Sequence, residues 1–231
     1  MPVSTEKKTI SRQRARSVQD KDLRRAHLIE AAAQLFADAD FDGVTIAQVA
    51  QAAGVAKGTA YIYFPTKEAL FLELVRAELT AWLDNLESSL RRVRAQNRVQ
   101  AVSTAMSRCV TQRPTLWRLL ILLHSVIEPK IDEARARDFK FFLLDLLTRA
   151  GTAIAGKLPG MQPNQAANVI LQLHALVIGL AQLANPPPVI KRVLAQNPEL
   201  QFMQIDFEPF LAATLGTLLR GTLSESAQPT T

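Results

Sequence analysis

One cysteine in 231 residues, Cys109, leaves no partner for an intramolecular disulfide. Its neighbours Met106 and Val110 mark it as packing on an apolar face rather than as a redox sensor. Glycines number 9, aromatics make up 6%, and runs of alternating apolar and polar residues are scarce, so a β-rich fold has little support. The three histidines, His27, His124 and His174, are far apart in sequence. No His-x-x-x-His, Cys-x-x-Cys or carboxylate cluster offers metal-ligand spacing, so neither a metal nor a cofactor is expected. A Gly-rich phosphate loop, a nucleophile elbow and a Ser/His/Asp arrangement are also missing, and no enzymatic activity is expected. The nearest thing to a membrane span, the uncharged stretch from Ala166 to Ala184, is interrupted by Asn168, Gln172, His174 and Gln182 and reads as a helix buried on several sides. No apolar run follows the basic N-terminus, so no secretory signal is expected, and the lone cysteine fits a reducing cytoplasm.

What is present points to helices. Hydrophobic residues make up 48% of the chain, enough for a sizeable core, and Ala, Leu, Gln, Arg and Glu are prominent. The net charge of +6 is unevenly spread. Lys7, Lys8, Arg12, Arg14, Arg16, Lys21, Arg24 and Arg25 stand against Glu6, Asp20 and Asp22, which leaves the rest of the chain nearly neutral. A basic arm suits a polyanionic partner and equally suits a solubilising tail.

The most informative segment runs from Thr45 to Lys67. Thr45 and Gln48 have capping-box spacing, and Ile46, Val49, Ala50 and Ala53 repeat at helical period. Gly54 stands where a left-handed backbone ends a helix, and Val55 is placed to fill the angle that follows. A second short helix, from about Lys57, is stopped by Pro65. It carries Lys57, Gly58, Thr59, Tyr61 and Tyr63 and few large aliphatic residues. Two short helices at a tight turn form a helix-turn-helix, and this surface suits double-stranded DNA. Lys57 offers a cation for a guanine edge, Gly58 permits close approach, and the hydroxyls can meet phosphates.

Leu35-Phe36-Ala37, Phe41, Val44-Thr45, Ile46-Ala47, Val49-Ala50, Ala53-Gly54-Val55, Lys57-Gly58-Thr59, Tyr61-x-Tyr-Phe at 61–64 and Thr66-Lys67-Glu68-Ala69-Leu70 together resemble the N-terminal domain of the TetR (tetracycline-repressor-like) regulators. The resemblance implies an all-α homodimer with a three-helix DNA-binding head and a larger helical domain for ligand binding and dimerisation. It also implies a palindromic operator, repression, and release by a small-molecule effector. Thr59, Tyr61, Tyr63 and Lys67 fall where that family makes phosphate contacts, and Thr45 sits at a helix N-terminus that can itself hold a phosphate. Two positions depart from the pattern. Asp40 stands where a Gly commonly ends the first helix, which predicts a strained turn, and Tyr63 stands where His is frequent.

The expected organisation is a basic flexible arm at 1–20, a DNA-binding domain at 21–66, a helical domain at 67–222 and a polar tail at 223–231. Thr66 is expected to cap a long helix carrying Leu70, Leu74, Trp82, Leu86, Leu90 and Val93 to about Ala95. Prolines at 114, 129, 159 and 186–188 divide the remainder into helices at about 99–111, 115–127, 131–157, 164–184, 189–196 and 207–221. Val169, Leu173, Val177 and Leu180 on one helix, and Phe210, Leu211, Leu215 and Leu218 on another, form the candidate dimer stripes. Candidate pocket residues are Trp82, Met106, Trp117, Ile121, His124, Phe139, Phe142, Leu171, His174 and Ile178. Such a lining favours an apolar or aromatic effector.

Overall fold

The computed structural model describes residues 4–94 and 96–226, with side chains from residue 20 to residue 225 apart from residue 95. Among the described residues there is no strand. The chain divides into two compact units, one ending at Leu74 and the other beginning at Val75.

In the first unit, α1 spans Ser4–Asp38, α2 spans Ile46–Ala52 and α3 spans Lys57–Tyr63. The helix α1 begins well inside the arm at 1–20 that was expected to be flexible. Between Pro2 and Asp38 the sequence has neither Gly nor Pro, so nothing in it breaks a helix. The cationic side chains at 7–16, on which the arm's DNA contacts would depend, lie outside the described side chains. After α1 the backbone makes a 3-10 turn at Phe41–Gly43. Asp40 precedes it with φ −78° and ψ 165°, which is extended backbone. The strain expected at Asp40 is therefore absent, because a 3-10 turn entered from extended backbone does the work of a left-handed residue. Phe71 sits at the centre of this unit's core. The rings of Phe36 and Phe41 meet it edge-on at 5.3 and 4.7 Å, and Leu28, Val49 and Leu70 are buried with it.

The helix α4, Lys67–Arg92, starts in the first unit and ends in the second. The Thr66 hydroxyl accepts the Ala69 N–H at 3.1 Å, as the cap requires. Leu70, Leu74, Trp82, Leu86 and Leu90 are all buried, as their spacing predicts, but the helix ends at Arg92 and leaves Val93, expected within it, half-buried beyond its end.

The second unit continues with α5 (Arg98–Thr111), α6 (Pro114–Leu122), α7 (Glu133–Ala155), α8 (Pro163–Ala184), α9 (Pro188–Gln196) and α10 (Phe207–Ser226). The single helix expected at 115–127 ends early. Leu123–Ile127 is a π turn and Glu128–Lys130 a 3-10 turn. Pro129 explains the break: it lacks an N–H, and its ring would clash with the carbonyl four residues back, so the preceding turn widens. The expected polar tail at 223–231 begins inside α10; residues 227–231 lie outside the described residues.

α7 packs on α8, and α10 packs on both α5 and α8. At Gly151 the α7–α8 approach is so close that a Cβ would stand 2.5 Å from the Pro163 carbonyl oxygen. Glu208 fixes the start of α10 to α5. Its backbone oxygen accepts from Ser107 at 2.8 Å, and its carboxylate accepts from Arg108 and Thr111 at 3.1 and 3.0 Å.

This packing corrects the dimer stripes. Val169, Leu173, Val177, Leu180, Leu211 and Leu215 are buried within their own subunit, and Leu218 is half-buried; only Phe210 is exposed. An apolar stripe at helical period serves an internal core as well as an interface, and α7 and α5 use these faces. α8 instead exposes Gln172, Ala175, Gly179 and Gln182, and α10 exposes Phe210, Ala213, Thr217 and Gly221. α8 is long and apolar enough to cross a membrane by length and composition. Its apolar stripe is covered by the chain's own helices.

Candidate DNA-reading helix and effector cavity

The turn between α2 and α3 is built as its residues dictate. Thr45 Oγ1 accepts the Gln48 N–H at 3.3 Å, while Gln48 Oε1 accepts the Thr45 N–H at 2.9 Å. Gly54 takes φ +67°, which L side chains rarely adopt, and the Gly54 and Val55 N–H groups bond back to Gln51 and Ala50 at 3.1 and 2.9 Å. Val55 is half-buried in the angle.

α3 is anchored by Ala60 and Phe64, both buried, and turns its other residues outward. Lys57, Gly58 and Tyr61 are exposed; Thr59 and Tyr63 are half-buried. A Cβ added at Gly58 would meet no atom within 4 Å. The sequence reading missed Ile62, which is 83% exposed, the most exposed large apolar side chain among the described residues of this unit. It stands two residues from both buried Ala60 and Phe64, which at about 100° per residue puts it on the opposite side of the helix, and that spacing was the available signal. An exposed aliphatic tip on such a helix suits the thymine methyl in a major groove.

Two of the expected phosphate contacts are already engaged. The Thr45 hydroxyl is the cap just described and also donates to Gln48 Oε1 at 2.7 Å. The Lys67 ammonium donates to the Phe41 carbonyl at 2.8 Å and lies 3.9 Å from the centre of the Phe41 ring. It ties the start of α4 to the 3-10 turn and keeps two N–H donors for other partners.

In the second unit an apolar cavity of about 80 Å³ lies between α4, α6, α7 and α8. Of the candidate pocket residues, Trp82, Leu171 and His174 line it. Met106 and Phe139 are fully buried in the core instead. Trp117 packs edge-on against Phe207 at 6.2 Å, and Phe142 stacks on Phe139 at 5.9 Å beneath the Arg76 guanidinium. Ile121, His124 and Ile178 are absent from the lining as well. Helical spacing places a residue on a face, but a void depends on how three or four faces meet. Leu116, Leu120, Leu143 and Ile170, which do line the cavity, carried no sequence signal separating them from ordinary core.

His124 stacks on His174 with ring centres 5.0 Å apart, and its Nδ1 lies 2.9 Å from the Glu128 carboxylate, which Lys140 also meets at 2.6 Å. Burial, reinforced by charge repulsion from His124, pushes the His174 imidazole down to about 4; Glu128 opposes the shift and Lys140 adds to it. Burial would raise the Glu128 carboxyl, but its bonds from Lys140 and His124 outweigh that and hold it below the ordinary range. Cys109 is buried beside Ser89, and burial pushes its thiol up, as expected for a packing residue. Among the described residues no group of three or more His, Cys, Asp or Glu side chains could hold a metal ion.

Comparison with known proteins agrees with this division. Residues 28–74 match the family described as bacterial regulatory proteins, tetR family, and residues 76–226 match the tetracyclin repressor-like C-terminal domain. The HTH-type transcriptional regulator RutR of Escherichia coli strain K12 is 37% identical over 82 residues, 36% of this chain and 36% of that protein. An uncharacterised HTH-type transcriptional regulator of Haemophilus influenzae is 29% identical over 132 residues, covering 57% of this chain and 64% of its own. Among solved structures, the fatty acid degradation regulator FadR of Bacillus halodurans superposes with a TM-score of 0.55 over 86% of this chain and 95% of its own, at 17% identity, a likeness of fold. With the head and most of the second unit both matched, the chain belongs to the TetR family of DNA-binding transcriptional regulators.

Proposed function

We propose that the protein is a repressor that binds a near-palindromic operator as a homodimer and leaves it when a small apolar or aromatic effector enters the second unit. The observation that carries the DNA half is the outward face of α3, where Lys57, Gly58, Tyr61 and Ile62 stand exposed while Ala60 and Phe64 anchor the helix from below. Lys57 is the base-reading cation, paired with guanine acceptors. Tyr61, Tyr63, Thr59 and the free donors of Lys67 meet phosphates, and the start of α2 at Thr45 presents its N–H groups to another.

A dimer must set two copies of α3 about 34 Å apart to enter successive major grooves. The exposed faces of α8 and α10 support the pairing surface, because small residues such as Ala175, Gly179, Ala213 and Gly221 let helices approach closely. The effector acts by binding the DNA-incompetent state better, and operator DNA must weaken the effector to the same degree. A coupling of about 1–3 kcal/mol changes operator affinity by about 5- to 150-fold.

Footprinting on the DNA upstream of the protein's own coding region tests the reading. Protection of an inverted repeat, with random duplex bound far more weakly, is the expected outcome. Equal binding to both would make this a non-specific DNA-coating protein.

A further inference from the structure

The cavity is apolar but not featureless. Trp82, on α4, is 3% exposed, and its indole N–H is buried without a hydrogen-bond partner. His174, on α8, lines the same cavity, and its Nε2 is likewise buried without a partner. A buried polar group left unsatisfied costs about 1–3 kcal/mol, so two of them around one void call for an explanation. The remaining lining is leucine, isoleucine and valine, with no Lys, Arg, Asp or Glu among it. An ionised ligand would find no counter-charge and would lose several kcal/mol of hydration.

Building on the effector reading above, we infer that the effector is an uncharged, mainly hydrocarbon molecule carrying a single hydroxyl, an alcohol or a phenol, held between the Trp82 indole N–H and the His174 imidazole. The indole can only donate. A neutral imidazole nitrogen donates or accepts according to its tautomer. A hydroxyl oxygen accepts from the indole and then either donates to His174 or accepts a second bond from it, so it satisfies both nitrogens for either tautomer. A carbonyl fits only one tautomer, and a bare hydrocarbon fits neither nitrogen.

The size of the void points to how such a molecule enters. At about 80 Å³ it has roughly half the room of a 150 Å³ apolar cavity that admits benzene. Leu123, the first residue of the π turn, forms part of its wall. There the regular helical bonding is already interrupted, so outward movement of this turn enlarges the cavity at least cost. The neighbouring His124 ring, stacked on His174, moves with it.

Calorimetric titration of the full chain at pH 7.5 with toluene, p-cresol and benzoate tests the inference. p-Cresol should bind about five- to tenfold more tightly than toluene, the effect of one net hydrogen bond, and benzoate should bind no better than toluene. Trp82→Phe should bring p-cresol down to the toluene affinity while leaving toluene within about twofold. His174→Leu, at a less buried wall position, should shrink the same preference and guards against a Trp82 variant that does not fold. Equal binding of toluene and p-cresol, or tightest binding of benzoate, would overturn the hydroxyl inference while leaving the cavity as an effector site. Failure of all three probes to bind would overturn the effector site itself, and the inference with it.

Discussion

Replacing Gly58 with Ala should make the protein more stable and a worse DNA binder. Gly58 lies in the first turn of α3 with no positive φ, and an added Cβ meets nothing within 4 Å. Glycine costs about 0.5–1 kcal/mol relative to alanine in a helix, chiefly through the freedom of the unfolded chain. Gly58→Ala should therefore raise the melting temperature by about 1–4 °C in a chain of this size. If Gly58 is where the backbone comes closest to the bases, the same methyl intrudes on a packed contact. Overpacking of that kind costs about 1–3 kcal/mol, and each 1.4 kcal/mol is tenfold in affinity. Scanning calorimetry and fluorescence anisotropy on an inverted-repeat duplex, at one fixed salt concentration, read the two effects separately. A raised melting temperature with operator affinity unchanged within twofold would refute the close-approach role. A lowered melting temperature would refute the claim that the space beside Gly58 is open.

Lys57→Ala should cost about 1–3 kcal/mol of operator binding and relax selectivity at one base pair, as read by competition against single-base operator variants. Gly151→Ala should lower stability by about 1–3 kcal/mol in chemical denaturation, because the Pro163 carbonyl is backbone and cannot turn aside. His174, depressed to about 4 when folded against about 6.5 unfolded, makes the unfolded chain bind more protons between those values. Its contribution to stability is therefore full above pH 6.5 and falls as pH drops towards 4, by about 3 kcal/mol at most; urea titrations across that window should show a shallower slope for His174→Leu.

Local chemistry was legible in the sequence wherever the signal was local. The Thr45–Gln48 box, the left-handed Gly54, the Thr66 cap and the breaks at Pro114 and Pro186–Pro188 all stand where spacing and residue type place them. What depended on more than one element was not. The apolar stripe Val169, Leu173, Val177 was readable as a stripe, but whether it faced α7 or a second subunit was not written in its period. The cavity lining had the same difficulty, since Met106 and Leu120 look equally apolar and only one borders the void. Tertiary packing also turned Lys67, read as a surface cation, into a clasp on the Phe41 carbonyl. The π turn lies between these cases: Pro129 announced a break, but not that the preceding turn would widen to absorb it.

The continuity of α4 has a consequence for how this protein can vary. Its 26 residues contain neither Gly nor Pro, so the helix has no built-in place to kink or slip. Inserting one residue between Trp82 and Leu86 would rotate the rest of the helix by about 100° and advance it by about 1.5 Å. The buried teeth at Leu79 and Trp82 before the insertion and Leu86 and Leu90 after it, all within the second unit, would then fall out of phase. Individual exposed positions on this stretch can be exchanged, whereas its length within the second unit is as tightly fixed as any side chain in the core.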